Sequence, residues 1–213
     1  MDKREIIITT AMNLFGQKGF DGTSVREIAA GADVNLAMIN YYFGSKEKLF
    51  ESVVEYKASF LKGVLEELVN NKLLSQIEKI DIVIDSYIER MFQSPQFHHL
   101  LHRELSLEHR PQMKETIAEI LLRNFVFLKA IMRQGIDSGE FNRVDIELTT
   151  ATLIGTINHL LLSGIMCRKI LQKSKTFNPY QSKKLKERIR EHLKKLLRSH
   201  LVKIKAQKNK KNF

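Results

Sequence analysis

Between residues 24 and 46 stands a set of side chains suited to reading and gripping a polyanion: Ser24, Arg26, Asn35, Leu36, Ala37, Met38, Asn40, Tyr41, Tyr42 and Lys46. An asparagine amide offers a donor beside an acceptor, which matches the major-groove edge of adenine, while alanine and methionine can touch a thymine methyl. The tyrosine hydroxyls and Lys46 suit phosphate oxygens, and Arg26 suits guanine or phosphate. A second cluster, His98, His99, His102 and His109 with Glu104 and Glu108, suggests metal chemistry. His98 and His102 are four apart on one helical face, a spacing that can bring two imidazoles to one ion. The His-Glu-x-x-His pattern is absent, however, and no cysteine lies near, so the expectation is no metal and no cofactor. Neither a nucleophile with base and orienting group nor a glycine-rich phosphate loop appears, so no catalytic residue is expected and the chain is read as a non-enzyme.

Such side chains act only if a rigid element presents them. Ile8, Ala11, Met12 and Phe15 recur at helical spacing and predict a first helix over about 3–18, stopped by Gly19 in a left-handed conformation. Asp21-Gly22 marks a turn, and Ser24 with Glu27 makes a capping box for a second helix whose Val25, Ile28 and Ala29 face inward. Gly31-Ala32-Asp33 forms the next turn, and Asn35 is a natural N-cap for a third helix running to about Tyr42. Ile39 and Phe43 are expected to be buried, leaving Leu36, Ala37, Met38, Asn40 and Tyr41 outward or at the flanks. Ser45 caps a fourth helix and places Lys46 where unpaired backbone N–H groups favour a phosphate. The arrangement reads as a helix-turn-helix.

Leu14-Phe15, Gly19, Thr23 to Ala29, Ala32, Val34, Tyr41 to Phe43 and Ser45 to Leu49 carry a resemblance in both order and spacing. Residues 6–50 resemble the N-terminal domain of the TetR family of bacterial transcriptional regulators. Two positions depart from the family pattern. Asp33 stands where glycine is usual, and aspartate tolerates left-handed backbone, so the turn is expected to survive. Asn40 stands where tyrosine is usual, after Ala37-Met38 instead of Gly-Thr, so no operator sequence follows from the resemblance.

The resemblance implies an all-α protein in two parts: a helix-turn-helix domain over 1–46 and a ligand-binding and dimerisation domain over 47–213. It implies a homodimer on a near-palindromic double-stranded DNA operator, with recognition helices about 34–36 Å apart or a multiple of that. It also implies release by a small-molecule effector that favours the form unsuited to DNA. The family encloses its effector among helices four to seven, where Phe60, Phe92, Phe97, His102, Phe125, Phe127 and Met132 are the lining candidates. Its last two long helices meet those of the mate, which puts Leu153, Ile157, Leu161, Leu185, Ile189, Leu193 and Leu196 at the dimer interface.

Apolar spacing predicts about nine helices in all, the later ones over 45–70, 77–93, 96–109, 111–138, 144–171 and 181–206. The eighth is apolar on most of its circumference, with Gly155 and Gly164 allowing close approach. The ninth carries Leu185, Ile189, Leu193, Leu196, Leu197, Leu201 and Ile204 on one side and cannot stand alone in water. The paucity of helix breakers, 3 Pro and 10 Gly in 213 residues, supports the all-helical reading. Residues 146–166 are the most apolar stretch, but Glu147, Asn158 and His159 within it favour a buried helix over a membrane span. The lone Cys167 permits no intrachain disulfide, and no leader-like segment stands out, so a cytoplasmic protein without membrane association is expected.

Charge is distributed unevenly. The formal net charge is +11, and residues 181–213, with thirteen Lys or Arg against Glu187 and Glu191, account for all of it. The head, residues 1–46, balances five basic against five acidic side chains, so the motif and not bulk charge carries the DNA-binding expectation. Lys203, Lys205, Lys208, Lys210 and Lys211 form a basic tail that is either a solvated end or a sequence-independent hold on a polyanion. The competing reading is a helical interaction protein whose basic C-terminal helix binds an acidic partner, nucleic acid or a membrane surface.

Overall fold

The computed structural model describes residues 2–202 and shows an all-α chain: α1 Lys3–Lys18, α2 Val25–Gly31, α3 Leu36–Phe43, α4 Lys46–Asn70, α5 Gln76–Gln93, α6 Pro95–Ser106, α7 Pro111–Asp137, α8 Ile146–Leu162, α9 Gly164–Ile170 and α10 Lys183–Leu201, with a 3-10 turn at Pro179–Gln181. The described residues divide into two compact units. One holds the residues up to Glu67 together with Glu89–Phe127, the other Leu68–Ile88 together with residues from Leu128 onward.

The first unit is built on one continuous core. Ile7, Ile8, Ala11 and Phe15 of α1 meet Ile28 and Ala29 of α2, Ile39 and Phe43 of α3, and Leu49, Phe50, Val53 and Val54 of α4. Phe97 and Leu100 of α6 and Met113, Ile117 and Ile120 of α7 belong to the same cluster. Three rings form its centre: Phe15 stacks on Phe20 at 5.6 Å, and Phe50 meets both edge-on at 5.2 and 5.4 Å. Such aromatic clusters bury large areas and lock mutual orientation. The head is therefore seated on α6 and the first half of α7.

The second unit contains most of α5, the end of α7 and helices α8–α10. Its charged seam runs between α5 and α10, where Asp85 takes Lys194 at 2.7 Å and Asp81 pairs with Arg198. Part of the positive charge of the C-terminal helix is thus neutralised inside the chain. Glu140 caps the start of α5, accepting from the Gln76 and Ile77 N–H groups at 2.9 Å each.

Two helix expectations are corrected. The helix expected over 144–171 is two helices, α8 and α9, meeting at an angle of 100°. Ser163 breaks the run: its backbone leaves the helical region at φ −110, ψ 82, and its side chain accepts from the Met166 N–H to start α9. Apolar composition continues through that point, so periodicity alone did not register the break. The last helix begins at Lys183 rather than 181, because Pro179–Gln181 form a 3-10 turn and Ser182 caps α10. Its expected end at 206, Ile204 and the basic tail lie outside the described residues.

Candidate nucleic-acid interface

Thr23 organises the turn that leads into the motif. It is buried, and its hydroxyl donates to the Gly19 carbonyl at 2.8 Å and the Leu14 carbonyl at 3.2 Å, tying the end of α1 to the start of α2. Gly19 itself sits at φ 78, ψ 172. That is positive-φ extended backbone open essentially to glycine, and not the left-handed helical well expected from the sequence. Ser24 and Glu27 close the capping box in both directions, at 3.2 Å to the Glu27 N–H and 2.8 Å from the Ser24 N–H. Lys18 adds an ion pair to Glu27 at 2.7 Å. That lysine and the Ser24 bonds hold the Glu27 carboxyl down to about 2. Ser24 is exposed, but its hydroxyl is committed to Glu27.

The turn between α2 and α3 runs through Asp33 at φ 52, the left-handed conformation its side chain tolerates. Val34 N–H returns to the Ala29 carbonyl at 3.0 Å, and Asn35 caps α3 by accepting from Met38 N–H at 2.8 Å. Ile39 and Phe43 sink into the core. With those two positions anchored, the helix has no freedom to rotate, and its other face is set: Ala37, Asn40 and Tyr41 are exposed, Tyr41 by 84%. Leu36, Met38 and Tyr42 lie half-buried at the flanks, and Tyr42 meets Tyr41 edge-on at 5.2 Å. Arg26 is exposed on α2. Ser45 accepts from Lys48 N–H at 3.1 Å to start α4, and the Lys46 ammonium lies 4.4 Å from the centre of the Phe20 ring.

An eight-residue helix fixed by two core anchors, carrying an exposed amide and an exposed phenol and preceded by a tight turn, can lie in a groove and offer hydrogen bonds to base edges. Residues 7–53 match the family profile described as bacterial regulatory proteins, tetR family. The chain is 32% identical over 160 residues to a probable HTH-type transcriptional regulator, YttP of Bacillus subtilis (strain 168), covering 75% of each. The chain belongs to the TetR family. This TetR-family transcriptional regulator is also 26% identical over 161 residues to the fatty acid metabolism regulator protein of the same organism, covering 75% of this chain and 82% of that protein. Its fold is that of a solved transcriptional regulator, FadR from Bacillus subtilis in complex with stearoyl-CoA, with a TM-score of 0.70, 23% identity, and coverage of 89% of this chain and 96% of that one.

The structure places the other candidate residues of this TetR-family chain as follows. Six of the seven dimer candidates, Leu153, Ile157, Leu161, Leu185, Ile189 and Leu193, are buried within the chain itself, and only Leu196, at 36%, is exposed. The cause is general: the strongest apolar stripe of a bundle helix faces its own core. The outward side of α8 carries Leu148, Ala151, Thr152, Gly155 and His159. Among the effector candidates, Phe97 packs against Phe50 at 6.4 Å in the head's core. Phe60 is 55% exposed and meets Tyr56 edge-on at 5.1 Å. Phe92, His102, Phe125 and Phe127 are half-buried in the first unit, while Met132 is buried in the second.

His98 and His102 face each other edge-on at 4.9 Å between ring centres. Burial and then the neighbouring His99 push the His102 imidazole below its ordinary value. Among the described residues, no group of three or more His, Cys, Asp or Glu side chains gathers as a metal site. No single helix among them is long and apolar enough to cross a membrane. Spacing along the chain did not reveal that Arg110 meets Glu104 six residues back and, at the same time, Asp21 of the head, 89 residues away. The one local sign was Pro111, which starts α7 and restricts the residue before it.

Proposed function

We propose that the chain is a cytoplasmic repressor, not an enzyme, that binds a near-palindromic double-stranded DNA operator as a homodimer and leaves it when a small molecule binds. The observation that carries the DNA-binding role is α3: Ile39 and Phe43 anchor it while Ala37, Asn40 and Tyr41 face outward. In this reading Asn40 reads a base edge, Ala37 and Met38 touch methyl groups, and Arg26, Tyr41, Tyr42 and Lys46 hold base edges or phosphates. Ser24 and Asn35 contribute by capping α2 and α3, so that their backbone N–H groups point at the DNA. Leu36 supports the flank.

Two heads require two chains. The outward side of α8 is the face we assign to the second copy, since Leu148 is 67% exposed and a Cβ built at Gly155 would meet nothing within 4 Å. Small residues on that face let two backbones approach closely. The effector is taken as a small molecule with an apolar chain, a reading supported by the stearoyl-CoA held in the FadR structure and by the half-buried Phe92, Phe125 and Phe127 of this chain. The test is selection of fragments from random DNA by the full chain at physiological salt, beside a chain lacking residues 203–213. Enrichment of a near-palindrome by both supports the repressor. No enrichment, or binding lost with the tail, favours electrostatic attachment through the basic C-terminus.

A further inference from the structure

The turn between α6 and α7 reaches the head through Arg110. Arg110, the last residue of that turn, donates from Nη1 to Glu104 Oε2 at 2.7 Å and from Nη2 to Asp21 Oδ1. Its guanidinium carbon also lies 4.4 Å from the centre of the Phe20 ring. The Glu104 side chain is 0% exposed, and its other oxygen takes Arg103 at 3.2 Å, so its charge is answered on both sides. Gly19 leaves room for that second arginine, since a Cβ there would stand 2.6 Å from Arg103 Nη2. Asp21 and Phe20 belong to the link between α1 and α2, and the same Phe20 ring carries the Lys46 ammonium at 4.4 Å. Arg110 adopts φ 64, a left-handed conformation costly for an arginine, immediately before a proline. The fork and the ring contact hold it there.

We infer that Arg110 is a positioning residue for DNA binding: it fastens the α6–α7 turn to the Asp21–Phe20 turn of the head and so sets where Lys46 and α3 stand. A planar guanidinium is fitted to this task, because it bridges two carboxylates while stacking on a ring, whereas an ammonium cannot do all three at once. Whatever shifts α6 or α7 must either carry the head with it or break this joint. The inference rests on the reading of the head as the DNA-binding part.

The test exploits a difference of sign. Asp21 is a negative charge on the head, 68% exposed, and by simple electrostatics its removal tightens binding to a polyanion. The joint predicts the opposite. Asp21→Asn in the full chain is expected to weaken affinity for the selected operator threefold or more, and Asp21→Glu, which keeps the carboxylate, to stay within twofold of the parent. The salt dependence of Asp21→Asn should match the parent, since no phosphate contact is lost, whereas Lys46→Ala should lower the slope by about one. Helix content and melting are followed alongside. Arg110→Lys, which keeps the charge and loses the fork, is the second variant and should weaken binding in the same way. Asp21→Asn binding less than threefold weaker, equally well or tighter overturns the inference, as does Asp21→Glu as weak as Asp21→Asn or Arg110→Lys binding like the parent. If the parent chain selects no operator, it is the DNA-binding reading that fails.

Discussion

Asn35 performs two tasks that substitution can separate. Its amide oxygen caps α3 at 2.8 Å from the Met38 N–H, and its position at the start of the recognition helix places it beside the expected phosphate. Asn35→Ala leaves that N–H without its partner and costs about 1 kcal/mol. For a chain of this length the loss lowers the melting temperature by about 2–4 °C. If all of it falls on the DNA-competent form of α3, operator affinity drops by roughly fivefold, and equally at low and high salt. Asn35→Asp behaves otherwise. A carboxylate caps as well as an amide and suits the positive end of the helix, so the melting temperature stays level or rises. The new charge, however, faces phosphate, and a repulsion of about 1 kcal/mol at 4 Å in water again weakens binding roughly fivefold, this time by an amount that shrinks as salt rises. Thermal melts followed by circular dichroism and fluorescence anisotropy on a labelled operator at two salt concentrations read all four quantities. Asn35→Ala melting within 1 °C of the parent would refute the capping argument, and Asn35→Asp binding as tightly as the parent would show that the N-terminus of α3 does not face DNA.

Asn40→Ala should cost about 1–3 kcal/mol of operator affinity and relax preference at one base position, while Lys46→Ala should weaken all sequences alike; competition with singly substituted operators distinguishes the two patterns. Lowering the pH should destabilise the fold through His102. Burial holds its folded-state value below the ordinary 6.5, so the unfolded chain binds more protons. The contribution is complete above about pH 6.5 and is lost as pH falls through and below that value. Melting temperatures at pH 7.5 and 5.5 should therefore separate further in the parent than in His102→Gln, and equal separations would contradict the assignment. Gly155→Arg fills open space on the chain's own surface and improves helix propensity by somewhat under 1 kcal/mol, yet it should halve the mass measured by sedimentation. A variant that remains dimeric places the mate elsewhere.

The head was legible because its rules are local. Ser24 and Glu27, Asn35, Asp33 and Ser45 each act within a few residues, through caps and turns whose geometry is set by side-chain reach. Ile39 and Phe43 sit one turn apart on a short helix, so spacing alone determined which side of α3 turns outward. The candidates on α8 and α10 show where that logic stops. Leu153, Ile157 and Leu161 recur at helical spacing, which identifies a buried face without saying what buries it. Phe97 and Phe60 read alike in sequence, but one joins the head's aromatic core and the other lies at the surface.

By itself, then, the sequence determined the helical class, the caps and turns of the helix-turn-helix, and the side chains that its third helix presents, because each depends on neighbours within about one or two turns. Tertiary structure alone decided that the strongest stripes of α8 and α10 belong to the chain's own core, that Asp81 and Asp85 answer part of the positive charge of α10, and that Arg110 joins the α6–α7 turn to Asp21 of the head. Those pairings span from 89 to 117 residues of chain. Their energies arise only after distant segments have met, and no periodicity along the chain records which segments those are.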